Sequence, residues 1–149
     1  MTRNARRARG TTLLEVIVAA SLMAIVLAIA VPNLPALGAP FTLRTASQQV
    51  AADLMATRMR AIARNTRYQV SFNTAAATYV IQRETAPGQF VSEGGTQALP
   101  HGAALGGVAA NPIFDTRGML TAPLTVTVTV PGAGGRTVSV DVLGQTTVQ

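Results

Sequence analysis

Nineteen consecutive residues, Leu13 to Val31, read LLEVIVAASLMAIVLAIAV and carry one charge, Glu15. At the helical rise they extend about 28 Å, just enough for a bilayer core of about 30 Å. Arg3, Arg6, Arg7 and Arg9 stand on the N-terminal side and no basic residue follows closely on the other. The positive-inside rule therefore places Met1 to Gly10 in the cytoplasm and everything after Pro32 across the membrane, in one pass. These arginines also account for most of the basicity. The chain has a formal net charge of +6, with 12 basic and 6 acidic residues, but from Thr11 onward 8 Arg face 6 acids. The remaining +2 describes a nearly neutral domain, so the charge is an orientation signal more than a nucleic-acid surface.

Other readings of the segment are weaker. Ala28-Ile29-Ala30 matches an A-x-A signal-peptidase site, but the apolar run is long for a signal peptide, Pro32 is the second residue after the cut, and an acid lies inside the run. Arg6-Arg7 is followed by Ala-Arg-Gly, without the companions of a twin-arginine signal.

A carboxylate in a membrane helix costs up to about 2.5 to 3.5 kcal/mol at the centre and less near an end, so one that is kept has a use. A cut after Gly10 would discard the four arginines and create an α-amine on Thr11, one helical turn before Glu15. Amine and carboxylate would then neutralise each other between packed helices, where an unpaired charge is costly. The run Arg9-Gly10-Thr11-Thr12-Leu13-Leu14-Glu15-Val16 followed by an apolar helix resembles the class III signal of type IV pilins and type II secretion pseudopilins. The resemblance implies cleavage by a prepilin peptidase after Gly10, N-methylation of Thr11, filament assembly guided by Glu15, and a stem kink at Pro32. Thr11 stands where the family usually has phenylalanine.

Pro32 and Pro35 predict an end or a kink of the first helix, with a linker over residues 33–40. Helical periodicity resumes at Leu43 and runs to Asn65. Leu43, Ser47, Val50, Ala51, Leu54, Met55, Ala61 and Ile62 share an arc about 140° wide, an amphipathic face that wants a sheet. Asp53, Arg60, Arg64 and Arg67 lie opposite. Arg58 falls inside the arc, so its stem is expected to pack with its head reaching outward. The basic face has no interleaved aromatics to stack bases and reads as solvated.

Tyr68–Phe72, Leu124–Val130 and the run through Val138, Val140 and Val142 alternate as strands do. Thr78–Arg83 pairs with the first through a small-residue turn at 73–77. Residues 131–136 join the last two, and 84–111 is loop with little pattern. One antiparallel sheet against the amphipathic helix buries both apolar faces, an α+β fold. The expected domains are a leader at 1–10, a transmembrane stem at 11–32, a linker and helix at 33–67 and a β domain at 68–149.

This layout, with ARNTRYQVSF at the start of the sheet, Phe114-Asp115-Thr116-Arg117-Gly118 and a closing Val142-Leu143-Gly144-Gln145-Thr146-Thr147-Val148, is similar to the GspH/FimT group of minor pseudopilins and minor pilins. The resemblance implies a low-copy subunit of the inner membrane, with its soluble domain in the periplasm, that helps to initiate or cap a filament. Its implied partners are the prepilin peptidase and other pilin or pseudopilin subunits. The alternatives are a DNA-binding minor pilin, which the terminus from Gly144 to Gln149 does not favour because it has no basic residue, and a signal-anchored exported domain unrelated to filaments.

No catalytic constellation is expected. With no cysteine and one histidine the chain excludes thiolate sites and paired imidazoles. Asp115 has no second carboxylate nearby for a calcium cluster and reads as a turn residue, and His101 as a solvated loop residue. The glycines at 88, 94–95 and 106–107 lie in unpatterned loop, not between a strand and a helix. Neither cofactor nor metal is expected.

Overall fold

The computed structural model describes residues 12–149, and their side chains except those of 30–37. Gly10, Thr11 and the arginines of the expected leader lie outside the described residues. The chain divides into two units, Met1–Leu37 and Gly38–Gln149.

A single helix, α1, spans Leu13–Arg64. The interruption expected at Pro32 and Pro35, and the linker over 33–40, are therefore helical backbone. A proline removes one donor and crowds one carbonyl, which a long helix absorbs because the remaining ladder persists. The side chains of Pro32 and Pro35 lie outside the described ones. In the first unit every described side chain from Thr12 to Ile29 is exposed. Among the described residues no helix is long and apolar enough to cross a membrane; Ala30 and Val31, the last two residues of the apolar run, are outside the described side chains.

In the second unit α1 stops where local chemistry stops it. Asn65 adopts φ 48°, Thr66 N–H donates to Ala61 O at 3.2 Å and Asn65 N–H to Ile62 O at 3.3 Å, a Schellman ending with asparagine in the left-handed position.

Two antiparallel sheets follow. The first contains β1 (Tyr68–Asn73), β2 (Thr78–Ala86), β3 (Gln89–Ser92), β4 (Gln97–Ala98) and β6 (Ile113–Phe114), in the order β3-β2-β1-β6 with β4 also on β2. The second contains β5 (Ala104–Gly106), β7 (Leu124–Val130), β8 (Gly134–Val140) and β9 (Thr146–Val148), in the order β5-β7-β8-β9. The fold class is the expected α+β, but the β part is two sheets where one is expected. The segment 84–111, read as loop, holds the end of β2 and all of β3, β4 and β5. Those last three strands have two to four residues, too few for an alternation to register. The last hairpin is tighter than expected, since β8 begins at Gly134.

The core follows the alternation. Tyr68 and Val70 on β1, Tyr79 and Ile81 on β2, all four apolar residues of β7, and Val138 and Val140 on β8 are buried. Register places Val126 opposite Val138 and Leu124 opposite Val140, while the threonines of β7 take the other face. From α1 the buried residues are Ala39, Leu43, Ala46, Ser47, Val50, Ala51, Leu54, Thr57 and Ala61. This stripe is rotated by about 40° from the expected arc, counting about 100° per residue. It gains Ala46 and Thr57 and loses Met55 and Ile62, which are exposed. Side-chain size is the reason. Ala46 and Thr57 are small, and the Thr57 hydroxyl donates to Asp53 O at 2.6 Å, as that of the expected Ser47 does to Arg44 O at 3.0 Å, so both hydroxyls bury without an unmet polar group.

Candidate processing and assembly site

The sequence places processing at Gly10 and Thr11, outside the described residues, and assembly at Glu15. Thr12 precedes the first helical residue, and its Oγ1 accepts from the Glu15 N–H at 3.3 Å while its carbonyl accepts from Val16 N–H at 3.2 Å. Thr12 is thus the N-cap and Glu15 the third helical residue, the T-x-x-E spacing of a capping box. The first-turn carboxylate also faces the positive end of the helix dipole. The sequence carries this signal as Thr12-Leu13-Leu14-Glu15, a cap that the apolar run and its single charge do not by themselves bring out.

Beside Glu15 lies a shallow groove on the helix, lined by Val16, Ala19, Ala20 and Met23 with Glu15 at one end. Ser21, the other polar residue nearby, turns its hydroxyl back to Ile17 O at 2.8 Å. The surface offered sideways is therefore apolar apart from one carboxylate.

In the second unit the site of interest is the saddle around Arg58. Two loops carry the same device. In Asp115-Thr116-Arg117-Gly118-Met119, the Asp115 Oδ1 accepts from Arg117 N–H and Met119 N–H at 2.9 and 2.8 Å, and Gly118 N–H donates to Asp115 O at 2.9 Å. In Asp141-Val142-Leu143-Gly144-Gln145, the Asp141 Oδ1 accepts from Gln145 N–H at 2.9 Å, and Gly144 N–H donates to Asp141 O at 2.9 Å. Leu120 N–H donates to Val142 O at 2.9 Å and joins the two. Both glycines are buried with φ 77° and 76°. Asp115 is the expected turn residue.

Arg58 fills the space the two glycines leave. Its Nε donates to Gly118 O at 3.1 Å. A Cβ on Gly118 would stand 2.7 Å from Ile62 Cδ1, and one on Gly144 would stand 2.6 Å from Arg58 Nε. The arginine that looked misplaced in an apolar arc is a half-buried strut between α1 and the C-terminal loops.

The basic face is largely neutralised. Arg64 pairs with Glu93 at 2.6 Å and Arg67 with Glu84 at 2.9 Å, and Arg83 Nε stands 3.4 Å from Glu93. Tyr68 O–H adds a bond to Glu93 at 2.9 Å. Burial, then the Glu93 hydrogen bond, pushes the Tyr68 phenol upward. Asp53, expected on the solvated face, is half-buried and accepts from Tyr79 O–H at 2.5 Å. Burial and then that carboxylate raise the Tyr79 phenol. Gln49 Nε2 completes the group with bonds to Tyr79 Oη at 3.3 Å and Ala98 O at 3.1 Å. His101 is exposed in a turn. Among the described residues no three His, Cys, Asp or Glu side chains gather to hold a metal.

Two family descriptions match the chain. Type II transport protein GspH covers residues 46–145, and the prokaryotic N-terminal methylation motif covers residues 5–31. Among solved structures, the fold is similar to the minor pseudopilin EpsH from the type 2 secretion system of Vibrio cholerae, at TM-score 0.60 and 16% identity over 72% of this chain and 95% of that one. A second EpsH structure gives TM-score 0.63 at 12% identity, over 74% and 97%. The type IV minor pilin FimU of Pseudomonas aeruginosa gives TM-score 0.60 at 16% identity, over 72% and 87%. Comparison with curated proteins gives no match. The GspH match spans about two thirds of the sequence and includes α1 from Ala46, every strand except β9 and the paired glycine loops, and the methylation motif includes Gly10, Thr11 and Glu15. The chain belongs to the GspH family of type II transport proteins, and its role is the structural one of a minor pseudopilin or minor pilin.

Proposed function

We propose that the chain is a prepilin-type precursor, held in the inner membrane by residues 11–32 with its N-terminus in the cytoplasm and residues 68–149 in a periplasmic β domain. A prepilin peptidase cuts after Gly10 and methylates Thr11. The new amine and Glu15 then neutralise each other as the stem packs among those of other pilin or pseudopilin subunits, and the product helps to initiate or cap a secretion pseudopilus or type IV pilus. Its chemistry is done to it by the peptidase; it is not an enzyme. The observation that carries this reading is the joint occurrence of a methylation motif over residues 5–31 and a GspH match over residues 46–145 in one chain. The ion pairs that occupy Arg64 and Arg67 argue against a DNA-binding face, which needs free cations.

The test is the mass and N-terminal sequence of the protein recovered from membranes. An N-methylated Thr11 is the expected result. Val31 as first residue would sink the proposal, and an intact Met1 would count heavily against it. Glu15→Ala is expected to be inserted and cut yet to stay out of the filament; normal incorporation removes the charge-pair argument.

A further inference from the structure

A strand at the rim of a sheet carries a row of backbone donors and acceptors that its own sheet does not use, and most folds blunt such rims with charge, proline, glycine, a bulge or brevity. Most of the rims here are blunted in these ways. β3 pairs through a register shift at Glu84–Ala86 and lies between Pro87-Gly88 and Glu93. β4 has two residues, and β5 ends in Gly106-Gly107. β6 also has two, with Leu120 bridged to Phe114 on its outer side. β9, the last strand in the order β5-β7-β8-β9, is short but otherwise open. The run Gln145-Thr146-Thr147-Val148-Gln149 is uncharged, holds neither glycine nor proline, and is β-branched at all three strand positions.

Register fixes which groups β9 leaves unused. Thr137 and Gln149 exchange both backbone bonds at 2.9 Å, and Asp141 N–H donates to Gln145 O at 3.1 Å. Bonded and non-bonded pairs alternate along an antiparallel ladder, so Ser139 and Thr147 form the bonded pair between these. Thr146 opposite Val140 and Val148 opposite Val138 then turn their N–H and C=O away from β8. Those four groups have no backbone partner among the described residues. Val138 and Val140 are buried, so Thr146 and Val148, directly across from them, set their side chains on the core-facing side of the sheet. Both are half-buried, and the Thr146 Oγ1 is buried without a hydrogen-bond partner. The core face thus reaches the rim unfinished, at the two residues whose backbone is unused.

We infer that β9 accepts a further antiparallel strand from another polypeptide, an uncharged extended segment with apolar residues at alternate positions. The alternation follows from the geometry. Residues that bond to Thr146 and Val148 lie directly opposite them and point their side chains to the same face, over the half-buried rim of the core. The residues between point away. A charge at the first kind of position would be desolvated there, and no residue from Val142 to Gln149 carries an opposite charge to meet it. This goes beyond the stem packing proposed above and does not depend on it.

The test uses the isotope-labelled full chain in detergent micelles. The probe is the synthetic peptide acetyl-Thr-Val-Thr-Val-Thr-amide, the alternation that β7 already presents to β8 over Thr125 to Thr129. As the peptide saturates, the amides of Thr146 and Val148 are expected to shift in the NMR spectrum and to exchange more slowly with solvent. N-methylation of the two valine amides of the peptide should weaken binding by about tenfold, the scale of one to two backbone hydrogen bonds. N-methylation of its central threonine amide, on the far edge, should leave binding as it was. Both changes leave the protein untouched, so misfolding cannot imitate them. In the chain, Val148→Pro removes an outward N–H and no bond to β8, a place where an edge strand tolerates proline. It should weaken binding by about tenfold with circular dichroism unchanged. Shifts centred on β3 or β5, or binding indifferent to valine N-methylation, overturns the inference. Slow exchange of the same two amides without peptide, growing with protein concentration, would assign the rim to a second copy of this chain and equally overturn the partner named here.

Discussion

Arg58 Nε occupies the space that a side chain on Gly144 would need, since a Cβ built there lies 2.6 Å away from it and 2.9 Å from Arg58 Cδ, with the Gly118 carbonyl also in the way. The glycine is there for the arginine as much as for its φ of 76°. Gly132 separates the two causes, having φ 84° with nothing within 4 Å of its Cβ position. Gly132→Ala should cost the left-handed backbone penalty alone, about 1 to 2 kcal/mol. Gly144→Ala should cost about 1 to 3 kcal/mol more, because the opposing atoms include backbone that cannot swing aside. Urea unfolding of the two variants decides this, and equal losses would refute the strut.

Tyr79 holds its proton through burial and through its bond to Asp53. Its folded pKa lies above the unfolded value of about 10, so the native state binds the proton more tightly. The stability this supplies is whole below that pH and declines as pH rises above it. Tyr79→Phe should lose about 1.5 to 3 kcal/mol at neutral pH, the worth of a hydrogen bond to a charged group. The gap to wild type should then close in alkali, as read by thermal unfolding at a series of pH values. A gap that widens above pH 10 would reverse the sign argued here.

Glu93 is the junction of Arg64, Arg83 and Tyr68 and ties the end of α1 to the segment after β3. Its side chain is about a quarter exposed and the arginines about half, so salt screens the group appreciably. Glu93→Gln is expected to lower Tm in dilute buffer, with the difference shrinking towards about 1 M salt, where the Debye length falls to about 3 Å. A difference independent of salt would assign the loss to the Tyr68 hydrogen bond instead.

The parts of the fold that were legible are those with long periodic stretches. Tyr68–Phe72 and Leu124–Val130 show their alternation because one face of each is fully buried, and the apolar arc of α1 needed only a rotation. What was hidden depends on contacts distant in sequence. Nothing local distinguishes a buried Thr57 from a solvated one, since the hydroxyl is satisfied by its own helix. The solvated role expected of Asp53 failed because Tyr79 reaches it from β2, 26 residues on. The strands β3 to β5 take their hydrogen bonds from longer neighbours and have too few residues to show a period. At the candidate site, Glu15 was visible from its charge in an apolar run. Arg58 stands out in sequence as a charge inside an apolar arc, but its role depends on the two glycine loops that only folding brings to it.

Thr12 supplies the last test. Its hydroxyl accepts the Glu15 amide at the start of α1, so Thr12→Ala leaves that donor to solvent and should cost about 1 kcal/mol of local helix stability. Thr12→Ser keeps the oxygen and should behave as wild type. Amide exchange of Leu14, Glu15 and Val16 in the micelle-bound chain is the direct measurement. The Ala variant should exchange about fivefold faster there, for a loss of that size, with no change beyond the second turn. Because Glu15 is the proposed assembly residue, the comparison also separates two uses of the threonine. If Thr12→Ala frays the first turn while filament incorporation is retained, the cap is a local support alone. If incorporation falls with the fraying and Thr12→Ser restores both, the cap sets the Glu15 carboxylate at the position where assembly uses it.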